Sequence, residues 1–98
     1  MYEMLVGLNV MDDDVYGAYR DAMKPILNEY LGNFGYDFKV SEVLKHEGNP
    51  DINRVFTIQF KDKDHMERFF SDPNYLSVKE EFFTRSVGST TIISEYKV

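Results

Sequence analysis

Two histidines are the side chains whose ordinary pKa lies near neutrality, so a general base or an imidazole ligand would come from His46 or His65. His46 closes a predicted strand, and His65 stands at the start of a predicted helix. Exposed polar residues are ordinary at both kinds of position, so a structural role is the favoured interpretation of each histidine. His65 and His46 are nevertheless the two candidate catalytic residues.

A second set of side chains is better suited to ligand binding than to proton transfer. Aromatic residues recur at helical spacing and could line a pocket between a sheet and its helices: Tyr16, Tyr19, Phe69, Phe70 and Tyr75. Four polar residues are expected nearby: Asn9, Arg20, Gln59 and Arg85. An aromatic stripe more often belongs to a core than to a binding site. Buried tyrosine hydroxyls need partners, however, and a small aromatic or acidic ligand could supply them.

Metal and nucleophile chemistry find little support in the sequence. The chain has no cysteine, which excludes disulfides, thiolate nucleophiles and cysteine-ligated metals. Asp12, Asp14 and Gly17 have the spacing of the first half of a calcium loop, but Met23 stands where the bidentate glutamate belongs. Phosphate-binding loops and nucleophile elbows are also missing, so we predict neither a metal site nor a cofactor.

The composition limits which binding partners and which cellular location we expect for this protein. The 98 residues are the size of one domain, and 43% of them are hydrophobic, which favours a packed core over disorder. A formal net charge of -6 disfavours nucleic acids and anionic membrane surfaces as partners. No apolar stretch has the length of a membrane span, and no signal peptide is recognisable at the N-terminus. With the absence of cysteine, this pattern predicts a cytoplasmic protein.

The elements that would position these residues follow from the hydrophobic period. Apolar side chains alternate from Tyr2 to Val10, which is typical of a strand, and then recur three and four residues apart as far as Phe34, which is typical of an amphipathic helix. Asp12 to Asp14 offer an N-cap and first-turn acids. Gly32, Asn33 and Gly35 offer left-handed positions that would end this helix.

The rest of the chain predicts two further strands, a broken helix and a last strand. The predicted elements are a strand from Tyr36 to His46 with Phe38, Val40 and Leu44 in phase, a turn from Glu47 to Asn53, a strand from Arg54 to Phe60, a helix opening at Asp62 or Asp64, a short helix capped by Asp72 before Pro73, and a strand from Ser89 to Tyr96. The order β-α-β-β-α-β is that of an α+β, ferredoxin-like domain with an antiparallel sheet, spanning residues 1–98.

One face of this sheet would be left without helices. We expect it to carry Leu5, Asn9, Val55, Thr57 and Gln59, with either Ile92 or Ile93. A mixed surface of this kind is too apolar to face water across four strands. A second copy of the chain is the simplest cover, so a homodimer is predicted.

The residues from Leu44 to Val78 resemble a known family. RVFTIQFKDKDHMERFFSDPNYLSV, preceded by LKHEG, resembles domain-of-unknown-function family 1330 of the dimeric α+β barrel superfamily. Glu47 and Gly48 match the end of the family's second strand, and Phe60, Pro73 and Tyr75 match its third strand and the break that follows the helix. The resemblance implies a ferredoxin-like fold and a barrel-like homodimer, and it implies no known reaction.

Two functions of different class follow. The preferred one is an uncharacterised small-molecule-binding protein that takes an aromatic or acidic ligand among the tyrosines. The alternative is a cofactor-independent monooxygenase or isomerase of the dimeric-barrel kind, with His65 or His46 as base. In that mechanism Asn9, Gln59 or Arg20 would stabilise the developing oxyanion.

Overall fold

The computed structural model describes residues 1–48 and 51–98, so the centre of the turn predicted from Glu47 to Asn53 lies outside the described residues. The elements are β1 (Tyr2–Val10), α1 (Asp13–Glu29), β2 (Asn33–Lys39), β3 (Arg54–Phe60), α2 (Lys63–Ser71), α3 (Pro73–Val78), a π-helical segment (Lys79–Phe83), α4 (Thr84–Ser86) and β4 (Val87–Lys97). The four strands form one antiparallel sheet in the order β2-β3-β1-β4. This arrangement confirms the predicted α+β class and ferredoxin-like fold.

Aspartates begin helices α1, α2 and α3, as the sequence predicts. Asp12 accepts a hydrogen bond from the backbone N–H of Val15 at 3.0 Å, and Asp62 accepts one from the N–H of His65 at 2.8 Å. Asp72 accepts from two successive N–H groups at the start of α3, at 2.8 and 3.0 Å. Each carboxylate thereby satisfies donors that the first turn of a helix leaves free.

The end of α1 differs from the expectation. The left-handed residue there is Leu31, with φ of 57°, and no described glycine has a positive φ. The N–H of Gly32 donates to the carbonyl of Leu27 at 3.0 Å and that of Leu31 to Asn28 at 3.1 Å, which is the Schellman pattern. Gly32 is needed for space instead, because a Cβ there would lie 2.4 Å from Cδ1 of Leu27.

Strand β2 also corrects the sequence analysis. It runs from Asn33 to Lys39 rather than from Tyr36 to His46. Its pairing with β3 shifts between Phe34, opposite Ile58, and Asp37, opposite Phe56, so β2 carries one extra residue there and forms a β-bulge. The bulge turns Phe34 and Asp37 towards the helices and leaves Phe38 outside, 55% exposed. Leu44, expected in phase with Phe38, lies beyond the strand and is 90% exposed.

The hydrophobic core lies between the sheet and the helices. Alternate residues of β1 and β3 supply its floor, and α1 to α3 supply its cover: Met4, Val6, Leu8, Val10, Phe56, Ile58 and Phe60 below, and Tyr16, Tyr19, Met23, Leu27, Met66, Phe69 and Tyr75 above. Phe60 and Phe69 are fully buried, with ring centroids 5.6 Å apart. This layer holds the candidate site described below.

None of the described helices lies over the opposite face of the sheet. Leu5, Asn9, Val55 and Gln59 are half-buried on this face. Thr57 is buried, and its Oγ1 accepts a hydrogen bond from the Tyr36 N–H of the bulge at 2.7 Å. Ile92, which the sequence left as an alternative for this face, instead lies on the helix side. We call this surface the open face, and its most exposed aromatic residues are Tyr36 and Phe38.

Candidate functional site

A cavity of about 370 Å³ lies between the sheet and the helices, beside the packed core. Its walls are largely apolar; the polar members of the lining are Tyr16, Tyr19, Arg20, Tyr75, Lys79 and Thr90. Lys79, Thr90 and Ile92 are exposed, so they mark the mouth of the cavity. The volume lies within the range of pockets that hold small ligands.

Arg20 is the charged group at the buried end of this cavity and is only 8% exposed. Its Nε donates to the hydroxyl of Tyr16 at 2.8 Å, and its Nη1 donates to Asp37 at 3.1 Å. The guanidinium also lies over the ring of Phe34, 3.9 Å from the centroid. These contacts fix both the plane and the direction of the guanidinium.

Asp37 is shared between two arginines. Arg54 Nε and Nη2 donate to its two oxygens at 2.8 and 2.9 Å, in addition to the bonds from Arg20. Hydrogen bonds from Arg54 and the positive charges of Arg20 and Arg54 hold the pKa of Asp37 below its ordinary value near 3.8. Asp37 therefore stays ionised, and the three side chains together carry one net positive charge.

Three tyrosines line the same cavity as this guanidinium. The hydroxyls of Tyr19 and Tyr75 are 2.8 Å apart and share one hydrogen bond, which leaves one of their two protons without an acceptor among the described residues. Tyr16 accepts from Arg20, and its own proton likewise has no acceptor in the described chain. Burial raises the pKa of all three tyrosines, so they remain protonated donors.

The structure brings together about half of the predicted binding residues. Tyr16, Tyr19, Arg20, Phe70 and Tyr75 all line the cavity. Phe69 packs in the core, in contact with the ring of Tyr75, but does not line the cavity.

Three of the predicted polar residues lie elsewhere. Asn9 and Gln59 are on the open face, because odd-numbered residues of β1 and β3 point away from the helices. On that face Gln59 donates a hydrogen bond to Glu3 at 2.7 Å. Arg85 is exposed on α4 and donates to the carbonyl of Glu81 at 3.4 Å.

Neither histidine reaches the cavity. His65 lies at the start of α2, where its Nδ1 is 2.6 Å from the carboxylate of Asp62. His46 is exposed in the segment after β2 and contacts the carbonyl of Gly48. The histidine-based monooxygenase or isomerase mechanism therefore has no base beside the cavity among the described residues.

Asp62, Asp64 and His65 are the one grouping of three metal-ligating side chains in the described ranges, with donor atoms within 4.8 Å of one another. Asp62 caps α2, and Asp64 pairs with Arg68 at 2.9 Å. Helix capping and a surface ion pair thus account for these carboxylates.

Sequence reasoning missed several residues of the site, including four that set its charge and one of its walls. Asp37 and Arg54 hold Arg20 in place, while Lys79 and Phe83 form one wall of the cavity from the two ends of the π-helical segment. Opposite charges at Asp37 and Arg54 were visible in the sequence, but the bulge that turns Asp37 inward was not. A π-helical segment is rare and occurs often at functional sites, yet it has no clear sequence signal.

Comparison with known proteins identifies the family. The model of the family described as Domain of unknown function (DUF1330) matches residues 4–96. The chain belongs to this family. The family match confirms the resemblance inferred from Leu44 to Val78 and extends it over almost the whole chain. No curated protein matches the sequence of this DUF1330 protein.

Solved structures show the same fold at low identity. A dabb family protein with a ferredoxin-like fold from Mesorhizobium loti is 15% identical with a TM-score of 0.69, over 99% of this chain and 95% of that one. A dimeric protein of unknown function and ferredoxin-like fold from Bacteroides fragilis is 12% identical with a TM-score of 0.67, over 99% and 95%. A protein from Nitrosomonas europaea, named as a candidate antibiotic biosynthesis monooxygenase, is 13% identical with a TM-score of 0.60, over 100% and 98%.

The described helices of this DUF1330 protein include none that is both long and apolar enough to cross a membrane.

Proposed function

We propose that this DUF1330 protein binds a small aromatic or acidic molecule in the cavity between its sheet and its helices. The observation that carries the proposal is a cavity of about 370 Å³ with apolar walls and a buried, oriented Arg20 at one end. A sheet and helices that served packing alone would close to crystal-like density, whereas here a recess with an exposed mouth remains between them.

The polar groups of the cavity, like its volume, support the proposal that it binds a ligand. Tyr16 and the Tyr19–Tyr75 pair each keep a hydroxyl proton without an acceptor among the described residues. Each of these hydroxyl oxygens already makes one hydrogen bond within the chain, and each remaining proton could donate to a ligand oxygen. Aromatic side chains such as Phe56, Phe70 and Phe83 offer surfaces on which a flat ligand could pack.

A thermal-shift screen with aromatic and acidic metabolites tests the proposal. A ligand present at 100 times its Kd stabilises the native state by about 2.7 kcal/mol, which raises the Tm of a domain of this size by roughly 10–20 °C. Binding should also move the backbone amide resonances of Tyr16, Tyr19 and Met23, whose side chains line the cavity. A broad screen without a stabilising compound would contradict the proposal.

We further propose that two copies pack open face to open face as a homodimer, as expected for a dimeric α+β barrel. The support is the open face itself, where Tyr36 and Phe38 stack with centroids 5.8 Å apart and are 67% and 55% exposed, beside half-buried Leu5 and Val55. The dimeric neighbour from Bacteroides fragilis has the same fold.

Sedimentation velocity at micromolar concentration tests the dimer. Phe38→Glu would place a charge in the interface and should yield a monomer. Leu76→Glu is the matched control, because Leu76 is also an exposed apolar residue but lies on α3. A monomeric native protein, or equal dissociation by both substitutions, would contradict this arrangement.

A cytoplasmic location, consistent with the lack of cysteine, is likewise our proposal.

A further inference from the structure

The charge of the cavity lining is opposite to that of the whole chain. Arg20 and Lys79 line the cavity, and no acidic side chain appears among its lining residues. The chain as a whole carries a formal charge of -6. Positive charge is thus concentrated where a ligand would bind, and an anion would be attracted there in preference to the rest of the surface.

Arg20 keeps donors for such an anion. A guanidinium has five N–H bonds. Nε donates to Tyr16, and Nη1 and Nη2 donate to Asp37 at 3.1 and 3.5 Å, so two N–H bonds have no acceptor among the described residues. Because two nitrogens of Arg54, Nε and Nη2, also donate to Asp37, this carboxylate does not fully balance the charge of Arg20.

Tyrosine hydroxyls that line the same cavity also donate. Tyr16 offers one hydroxyl proton and the Tyr19–Tyr75 pair offers another. A carboxylate has two oxygens with about four acceptor sites and no proton of its own, which matches a set of donors. A neutral carboxamide would bring two N–H donors to a place that already has a surplus of donors.

We infer that the ligand is a monocarboxylic acid with a flat apolar body, bound with its carboxylate on Arg20 and the tyrosine hydroxyls and its body along the apolar walls. This assignment rests on the proposed function and narrows its aromatic or acidic ligand to one class. Lys79, at the exposed mouth, attracts the anion but is not its partner.

The test compares acids with amides of the same shape. Benzoate and benzamide, 2-naphthoate and 2-naphthamide, and 4-phenylbutanoate and its amide are titrated at neutral pH and followed by calorimetry and by amide NMR shifts. Each acid that binds should bind at least about 10-fold more tightly than its amide, since hydrogen bonds to a charged group contribute 1.5 kcal/mol or more. The Arg20 Nε–H resonance should move with the acid.

Variants locate the carboxylate. Arg20→Gln should reduce the acid preference to less than about 3-fold. Asp37 loses its bonds from Arg20 in this variant but keeps the two from Arg54, so its carboxylate is still paired. Arg20→Lys keeps the charge without the fork and should retain part of the preference. Arg85→Gln is the charge-matched control on exposed α4 and should leave the preference intact.

The outcomes separate this inference from the proposed function. If amides bind in the cavity as tightly as acids, the inference is overturned while small-molecule binding stands. If the preference survives in Arg20→Gln and disappears in Lys79→Gln, the carboxylate binds at the mouth and the inference is also overturned. If no acid or amide of any pair moves the resonances of the cavity residues, both the inference and the proposed function fail.

Discussion

Replacing Asp37 by Asn is the sharpest test of how the candidate site is held. The substitution preserves shape but removes the negative charge that four arginine N–H contacts share, at 2.8 and 2.9 Å from Arg54 and 3.1 and 3.5 Å from Arg20. The amide nitrogen of Asn would face a guanidinium donor instead of accepting from it. Two partly buried positive charges would then lie close together without a counter-ion.

The magnitude follows from the number and exposure of these bonds. A hydrogen bond to a charged group contributes about 1.5–3 kcal/mol, and the bond at 3.5 Å contributes little. About a third of the Asp37 side chain is exposed, so solvent screening reduces the total, and we expect a loss of about 2–4 kcal/mol. For a chain of 98 residues this lowers the Tm by roughly 10–25 °C.

Urea unfolding followed by circular dichroism measures this loss. Because the pKa of Asp37 is lowered by folding, its contribution is complete above the unfolded value near 3.8 and is lost as the pH falls through the folded value. The difference between wild type and variant should therefore shrink below about pH 4. Asp64→Asn, in an exposed pair with Arg68, should cost under about 1 kcal/mol. An Asp37→Asn loss below about 0.5 kcal/mol that does not vary with pH would refute the reasoning.

Three further predictions concern the backbone and the buried tyrosines. Gly35→Ala should lower the free energy of unfolding in urea by about 1–2 kcal/mol, because the new Cβ would lie 2.5 Å from Thr57 Oγ1. Gly17→Ala in α1 is the control: its Cβ would have nothing within 4 Å, and the substitution should raise the free energy of unfolding by up to about 1 kcal/mol. Equal effects of the two substitutions would contradict the geometry. Leu31→Gly should raise the Tm, since a left-handed leucine costs about 1 kcal/mol that glycine does not; a lower Tm would show that the exposed side chain matters more. In alkaline titration followed by phenolate absorbance, the buried Tyr16, Tyr19 and Tyr75 should ionise only as the protein unfolds, and ionisation of all seven tyrosines in the folded state would disprove their burial.

The sequence predicted the fold better than it predicted the site. Strand β1 and strand β3 have the predicted limits, and the aspartate caps lie where the sequence placed them. These features depend on residues close together in the chain, whose hydrophobic period and capping chemistry are local. The limits of β2 and the left-handed residue after α1 were wrong, because the Schellman turn accepted a leucine and the bulge broke the period of two.

Some residues of the candidate site could likewise be predicted from local sequence patterns, and others could not. Tyr16, Tyr19 and Arg20 could be grouped from the sequence because they lie on one face of a helix. Asn9 and Gln59 were also expected near the cavity, although the period of two placed them on the sheet face without helices, and that face is where the structure has them.

By itself the sequence determined the order of elements, the family and the tyrosine-rich face of α1, all of which follow from local patterns. Only the tertiary structure decided that Asp37 points inward, because the bulge that turns it depends on a hydrogen bond from Tyr36 to Thr57, 21 residues away. It also decided that Arg20 meets Asp37 and Arg54 and that a cavity remains beside them. Register and packing volume arise from contacts between distant segments, and no local period encodes them.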